Sequence, residues 1–166
     1  PPGTCKTSFG MLNTLQEQLL EEGSRTLVLA YTNRAVDEVC GKLVEQGIPF
    51  LRMGNELSCA PAYKEYLWDE QASRCKKMDE VRTLMRDCRV MVGTTTALTS
   101  HLPPDLSFDL AIIDEASQIL EPHLLALLCA RCGDVPAIRK VVMIGDHKQL
   151  PAVVKQRPED ARVDDA

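Results

Sequence analysis

The chain has 166 residues, 45% of them hydrophobic and 26% charged, with a formal net charge of −5. These proportions exclude intrinsic disorder, a collagen-like repeat and a coiled coil as the main form, and no apolar run approaches the roughly 20 residues of a membrane helix. The length suits one ordinary domain, and the acidic balance offers no bulk attraction to a polyanion.

Helical periodicity over residues 7–22 puts Phe9, Leu12, Leu15, Leu19 and Leu20 on one side, and Gly23 supplies a C-terminal stop. A strand over residues 25–31, a helix over 34–46 stopped by Gly47, and a strand over 48–53 follow. Residues 58–88 then interrupt the rhythm. They read as an inserted helical subregion carrying Tyr63, Tyr66 and Trp68, in which Arg74, Lys76, Lys77, Arg82, Arg86 and Arg89 outnumber Asp79, Glu80 and Asp87. Mixed charge of this kind fits a solvated helix pair as well as a face turned to nucleic acid. Further strands are expected over 89–93, 106–114 and 140–145, with a helix over 117–131 between the last two. The strands are apolar nearly throughout, as strands covered by helices on both faces are. The fold class predicted is therefore α/β, a doubly wound and mainly parallel sheet. It forms a single domain over residues 1–155, and 156–166 read as a polar tail or the start of a linker.

Seven cysteines, an odd number without framework spacing, argue against a secreted disulfide scaffold and for reduced thiols. The compartment expected is cytoplasmic, or nuclear if the source is eukaryotic. Cys129 and Cys132 have CxxC spacing, but no second pair or histidines follow, so a structural role at a helix end is favoured over half a zinc site.

Three stretches carry chemistry. Residues 1–7, Pro-Pro-Gly-Thr-Cys-Lys-Thr, resemble a Walker A phosphate loop, in which backbone N–H groups curl around phosphates ahead of a helix N-terminus. Pro2, Gly3, Thr4, Cys5, Lys6, Thr7 and Ser8 would line it, with Lys6 reaching the β- and γ-phosphates and the Thr7 hydroxyl on Mg²⁺. Cys5 stands where the pattern has glycine, so its Cβ is expected to crowd the phosphate and weaken nucleotide binding. A reactive Cys5 thiol at a helix start is a lesser reading. The first glycine of the pattern would precede Pro1, so the sequence reads as a segment of a longer chain.

The second stretch is Asp114-Glu115, two carboxylates ending the apolar strand over 106–114. At the C-terminal end of a central parallel strand they would face the ligand crevice. There Asp114 suits hydrated Mg²⁺ and Glu115 suits taking a proton from the attacking water. The competing explanation, acids at a helix N-terminus, would prevail for the dipeptide alone. The third is residues 145–151, where Gln149 is placed to bond the γ-phosphate or its water and His147 reads as a loop histidine.

The order PPGTCKTS, LAYTNRAVDEV, MVGTTTALTS, IIDEASQILEP and MIGDHKQLPAVV resembles the superfamily 1 helicases, with wording nearest the up-frameshift/senataxin-type branch. The resemblance covers nearly the whole chain and implies the first RecA-like motor domain of a DNA or RNA helicase. It assigns ATP and Mg²⁺ as ligands and single-stranded DNA or RNA as partner. It implies a second RecA-like domain elsewhere in the parent chain, supplying an arginine finger, so this segment alone is expected to hydrolyse ATP weakly. By the same resemblance, Thr32, Asn33 and Arg34 grip a nucleic-acid backbone, as do Thr94, Thr95 and Thr96. Asp114 and Glu115 form the DExx box with Lys6 as catalytic partner, and Gln149 couples nucleotide state to that grip. Thr and Asn are also good helix caps, and the two uses are compatible. The alternatives are a DNA-repair NTPase that does not unwind, and a degenerate nucleotide-binding module disabled by Cys5. Oligomeric state, pathway and the choice between DNA and RNA are not encoded in these motifs.

Overall fold

The computed structural model describes residues 9–101 and 106–146. Within them the chain runs α1 (Met11–Leu20), β1 (Thr26–Ala30), α2 (Asn33–Glu45), β2 (Leu51–Arg52), α3 (Trp68–Ser73), α4 (Met78–Asp87), β3 (Val90–Thr94), α5 (Thr95–His101), β4 (Leu110–Ile113), α6 (Glu121–Leu128), β5 (Arg131–Cys132), β6 (Val135–Pro136) and β7 (Val141–Met143). Five strands pair in the order β2-β3-β1-β4-β7, every pair parallel. Period-2 alternation divides the apolar side chains between two faces. Val28, Val92 and Ile112 pack with Met11 and Leu15 of α1 and Val36, Val39 and Leu43 of α2. Leu27, Leu29, Met91 and Ile113 pack on the other face with Leu98 of α5 and Leu127 of α6. The doubly wound α/β class expected from the sequence is the fold observed.

Local chemistry sets the element ends. Thr32 caps α2, its hydroxyl accepting the Ala35 N–H at 3.2 Å. At the other end Gly47 takes φ +64°, and the Gly47 and Ile48 N–H groups return to the carbonyls of Val44 and Leu43. That pair of bonds is a Schellman closure, with Leu43 and Ile48 packing in one core cluster. The end of α1 is held from outside: the Arg89 guanidinium donates to the carbonyls of Leu19, Glu21 and Ser24.

Several boundaries differ from expectation. The helix α1 is preceded by helical backbone at Phe9 and Gly10, its expected start at residue 7 lies outside the described residues, and Phe9 and Leu20 are exposed at 70% and 86%. A helix step of 100° carries Leu20 off the stripe that Leu12, Leu15 and Leu19 define. The strand expected over 48–53 shrinks to two residues, since Pro49 has no N–H to donate and Gly54 turns the chain at φ +139°. The expected helix over 117–131 is broken: a 3₁₀ turn, Ala116–Gln118, precedes α6, which ends at Leu128. Pro122 at the start of α6 cannot continue a helix from Gln118, because its ring would meet that carbonyl, but it suits a first turn. Beyond α6, β5 and β6 pair antiparallel around Gly133 at φ +60°, a hairpin the sequence reading did not anticipate.

The stretch between β2 and β3 is helical, as expected. Leu67 bridges to Arg52 beside β2, and Tyr66 stacks on Phe50 with ring centroids 4.6 Å apart. Burial pushes the Cys40 thiol up to about 12 and raises those of Cys59 and Cys88, so these remain protonated, inert thiols. Among the described residues all cysteines are free, and no helix is long and apolar enough to cross a membrane.

Candidate functional site

Because the strands are parallel and in register, their C-terminal ends lie along one edge of the sheet. Ala30 is level with Thr94, Leu29 with Ile113, and Ile113 with Met143. The chain leaves β1 for α2 on one face, while β4 leads to α6 on the other. The ends of β1 and β4 therefore flank the crevice where ligands of open α/β sheets bind.

Four segments reach that edge. After β1 come Thr32, Asn33 and Arg34; after β4 come Asp114 and Glu115; Thr94 ends β3, with Thr95 and Thr96 following; β7 leads to Gly145. Asp114 is buried, 2% exposed, and its peptide N–H continues the ladder to the Leu29 carbonyl at 2.8 Å. Glu115 takes a left-handed backbone, φ 53° and ψ 37°, and among the described non-glycine residues it is alone in a positive φ. Such outliers persist where the surroundings over-determine them, often at functional sites. The Gln118 amide donates to the Glu115 carboxylate at 2.9 Å, within the 3₁₀ turn that follows. The end of β7 presses on the same turn. The Ala116 N–H bonds the Ile144 carbonyl at 2.9 Å, and a Cβ on Gly145 would come within 3.0 Å of the Ser117 nitrogen. A side chain there would fit only tightly, because two backbones meet.

Glu115 and Gln118 share a small cavity of about 190 Å³ with Tyr31, Thr32, Arg34 and Glu38. Arg34 reaches Glu38 at 3.4 Å on an exposed surface, an ion pair that yields easily to another anion. A larger cleft of about 860 Å³ lies along Thr32, Asn33, Thr94 and Thr96, with Gly54, Asn55 and Trp68 on its lining. The Thr94 hydroxyl accepts the Ala97 N–H at 3.1 Å and so caps α5, as Thr32 caps α2. A hydroxyl that accepts at a cap still has its own proton to donate. Thr95 differs from its neighbours, being buried at 1% exposure, with its carbonyl accepting the Thr99 hydroxyl.

The structure thus brings together Asp114, Glu115, Thr32, Asn33, Arg34, Thr94 and Thr96 on one edge and sets Thr95 beneath it. Pro2, Gly3, Thr4, Cys5, Lys6, Thr7, Ser8, His147 and Gln149 lie outside the described residues. Among the described residues no group of three or more His, Cys, Asp or Glu gathers to hold a metal. Oxygen donors from one or two carboxylates, completed by phosphates and water, are the pattern Mg²⁺ takes, and Asp114 fits it. Sequence reasoning passed over Gln118, three residues after Glu115 and hence within reach across one turn, and Gly145, where a glycine directly after an apolar strand was the available signal.

A family model described as an AAA domain matches residues 1–83 and 68–157. The "DNA replication ATP-dependent helicase/nuclease JHS1" of Arabidopsis thaliana is 34% identical over 154 residues, covering 93% of this chain and 11% of its own length. The "DNA replication ATP-dependent helicase/nuclease DNA2" of Homo sapiens is 34% identical over 161 residues, covering 94% of this chain and 14% of its own. The chain therefore spans about a seventh or less of these curated relatives. Among solved structures, the helicase domain of Pyrococcus furiosus Hef superposes with a TM-score of 0.53 at 15% identity, over 84% of this chain and 25% of that one. That likeness bears on the fold alone.

Proposed function

This chain belongs to the AAA domain family, on the superfamily 1 helicase side that its motifs resemble, and we propose that it is the ATP-binding first motor domain of a helicase that moves along single-stranded DNA. One observation carries the reading. A carboxylate pair suited to nucleotide hydrolysis and a row of hydroxyl, amide and guanidinium donors suited to phosphates share one edge of one sheet. The names of the relatives favour DNA over RNA, and with it the compartment where DNA is kept.

In this reading Lys6 and the loop from Pro2 to Ser8 hold the nucleotide phosphates, and Asp114 with Thr7 holds Mg²⁺. That ion, when bound, neutralises charge on the β- and γ-phosphates. Glu115 accepts the proton of the attacking water, kept in place by the Gln118 amide. Gln149 reports the state of the γ-phosphate to the strand-binding side. Thr32, Asn33, Arg34, Thr94 and Thr96 donate to strand phosphates, which gives grip without base preference, while Thr95 anchors α5 from below. Residues 1–155 make up the domain, with 58–88 inserted, and a second RecA-like domain supplies the arginine finger and the far wall of the ATP cleft.

The test is hydrolysis and strand separation by the protein carrying this chain together with its second motor domain. ATPase stimulated by single-stranded DNA, with unwinding, is expected, and Glu115→Gln should abolish turnover while nucleotide binding persists. Stimulated hydrolysis without unwinding would indicate a repair NTPase instead. Absence of turnover would indicate a degenerate binding module.

A further inference from the structure

We infer that Trp68, in the segment between β2 and β3, is a stacking platform for a base of the bound single strand, and that the 860 Å³ cleft is a base pocket as well as a phosphate track. This rests on the proposed grip of Thr32, Asn33, Thr94 and Thr96, and adds the remaining lining of the cleft. The volume lies within the range, roughly 300–1,000 Å³, of pockets that enclose small organic groups.

The two walls differ in chemistry. The strand-end wall presents hydroxyls and an amide, the groups that donate to phosphate oxygens. The rest of the lining is the turn from Met53 to Asn55 after β2 together with Trp68, and it includes Glu56 and Asp69. Glu56 is paired with Lys64 at 2.8 Å, so the Asp69 carboxylate is the charge that disfavours phosphates there, and a strand entering the cleft is oriented with its backbone toward the threonines and its bases toward the indole.

Trp68 is also held as a platform must be. It is half-buried and packed along the cluster that includes Met53 and Leu98, and it is also among the residues that line the cleft. The residue before it, Leu67, is buried at 3% exposure and bridges to Arg52. A side chain fixed in this way loses little freedom when a base settles on it. Stacking has no preference among bases, because each has a π-face, but it requires an unpaired one. The platform therefore selects single strands over duplexes, which phosphate contacts alone do not do.

Trp68 is the only tryptophan of the chain, so its emission reports on this position alone. The experiment titrates the chain with a fluorescently end-labelled oligothymidylate, following polarisation of the label and, separately, tryptophan emission with unlabelled strand. The expected result is quenching of Trp68 along the same isotherm as binding, and binding without quenching for an abasic oligomer of equal length. Trp68→Ala should weaken oligothymidylate binding between about fivefold and a hundredfold, as removal of one base stack does, and Trp68→Phe should restore most of it. Binding without quenching, or equal quenching by the abasic strand, overturns the inference and leaves the proposed function standing. No binding by polarisation overturns the inference together with the proposed grip of the threonine edge.

Discussion

Glu115 combines two demands that pull against each other at one residue. Its carboxylate, the proposed base, is held by Gln118, while its backbone sits at φ 53°, a conformation that costs a residue with a Cβ about 1–2 kcal/mol. Strain of this kind belongs where geometry is fixed from outside, and here β7 fixes it through the Ile144 bond and the close approach at Gly145. The cost is measurable by comparing two variants that both lose the carboxylate. Glu115→Gly should be more stable than Glu115→Ala by about 1 kcal/mol in urea unfolding, because only the alanine keeps a Cβ in the left-handed region. The opposite order would mean the residue is not held in that conformation. Neither variant should hydrolyse nucleotide.

At the scale of elements, α2, β2 and the segment after it are joined by one ion pair. Arg52 is fully buried, its Nε and Nη2 donating to Asp37 Oδ1 at 3.1 and 2.9 Å and its Nη2 also to the Ser58 carbonyl. Asp37 Oδ2 accepts the Ala60 N–H at 3.2 Å. Removing one partner leaves the other charge buried, so Asp37→Ala should destabilise the fold by about 3 kcal/mol, toward the lower end of such losses because Asp37 keeps some contact with water. The double variant Arg52→Met with Asp37→Leu should recover most of that loss. A denaturant midpoint for Asp37→Ala close to that of the parent would show that the pair does not hold these elements together. This junction was not legible in the sequence, where Arg52 is an isolated charge in an apolar run and its partner lies fifteen residues upstream. The same contrast runs through the fold. Strands β1, β3 and β4 and helix α2 follow from local pattern, since apolar runs, a Thr cap and Gly47 each specify their element without distant help. The break before α6, the β5–β6 hairpin and the shortness of β2 depend on where a proline or glycine falls against a neighbour. Of the candidate site, the acidic pair and the strand-end donors were legible because motif spacing places them on strand ends. Gln118 had a local signal in its three-residue spacing from Glu115, whereas Trp68 acts across space and has no such signature.

For the whole molecule the question is how a chain of net charge −5 would hold the polyanion proposed for it. A basic face would do it by counterion release, and the helices between β2 and β3 carry the residues for one. Two of these charges are instead engaged locally, Arg74 with Glu70 at 3.1 Å and Arg82 with Asp79 at 3.5 Å, both exposed and spaced as neighbours on a helix. That is a solvated face, and it leaves Arg34 as the one cation among the proposed backbone contacts, the rest being neutral donors. The salt dependence of binding counts the cations involved, with a slope of roughly −0.7 per phosphate neutralised on a single strand. Oligothymidylate binding should therefore weaken only shallowly with salt, with a log–log slope near about −1, and Arg34→Gln should flatten it further. A slope several times steeper, unchanged by Arg34→Gln but reduced by replacing Arg82 and Arg86, would move the strand onto α4 and away from the threonine edge. A shallow slope has a consequence for motion: a motor gripping by short-range hydrogen bonds can release one phosphate and take the next without crossing a broad electrostatic well.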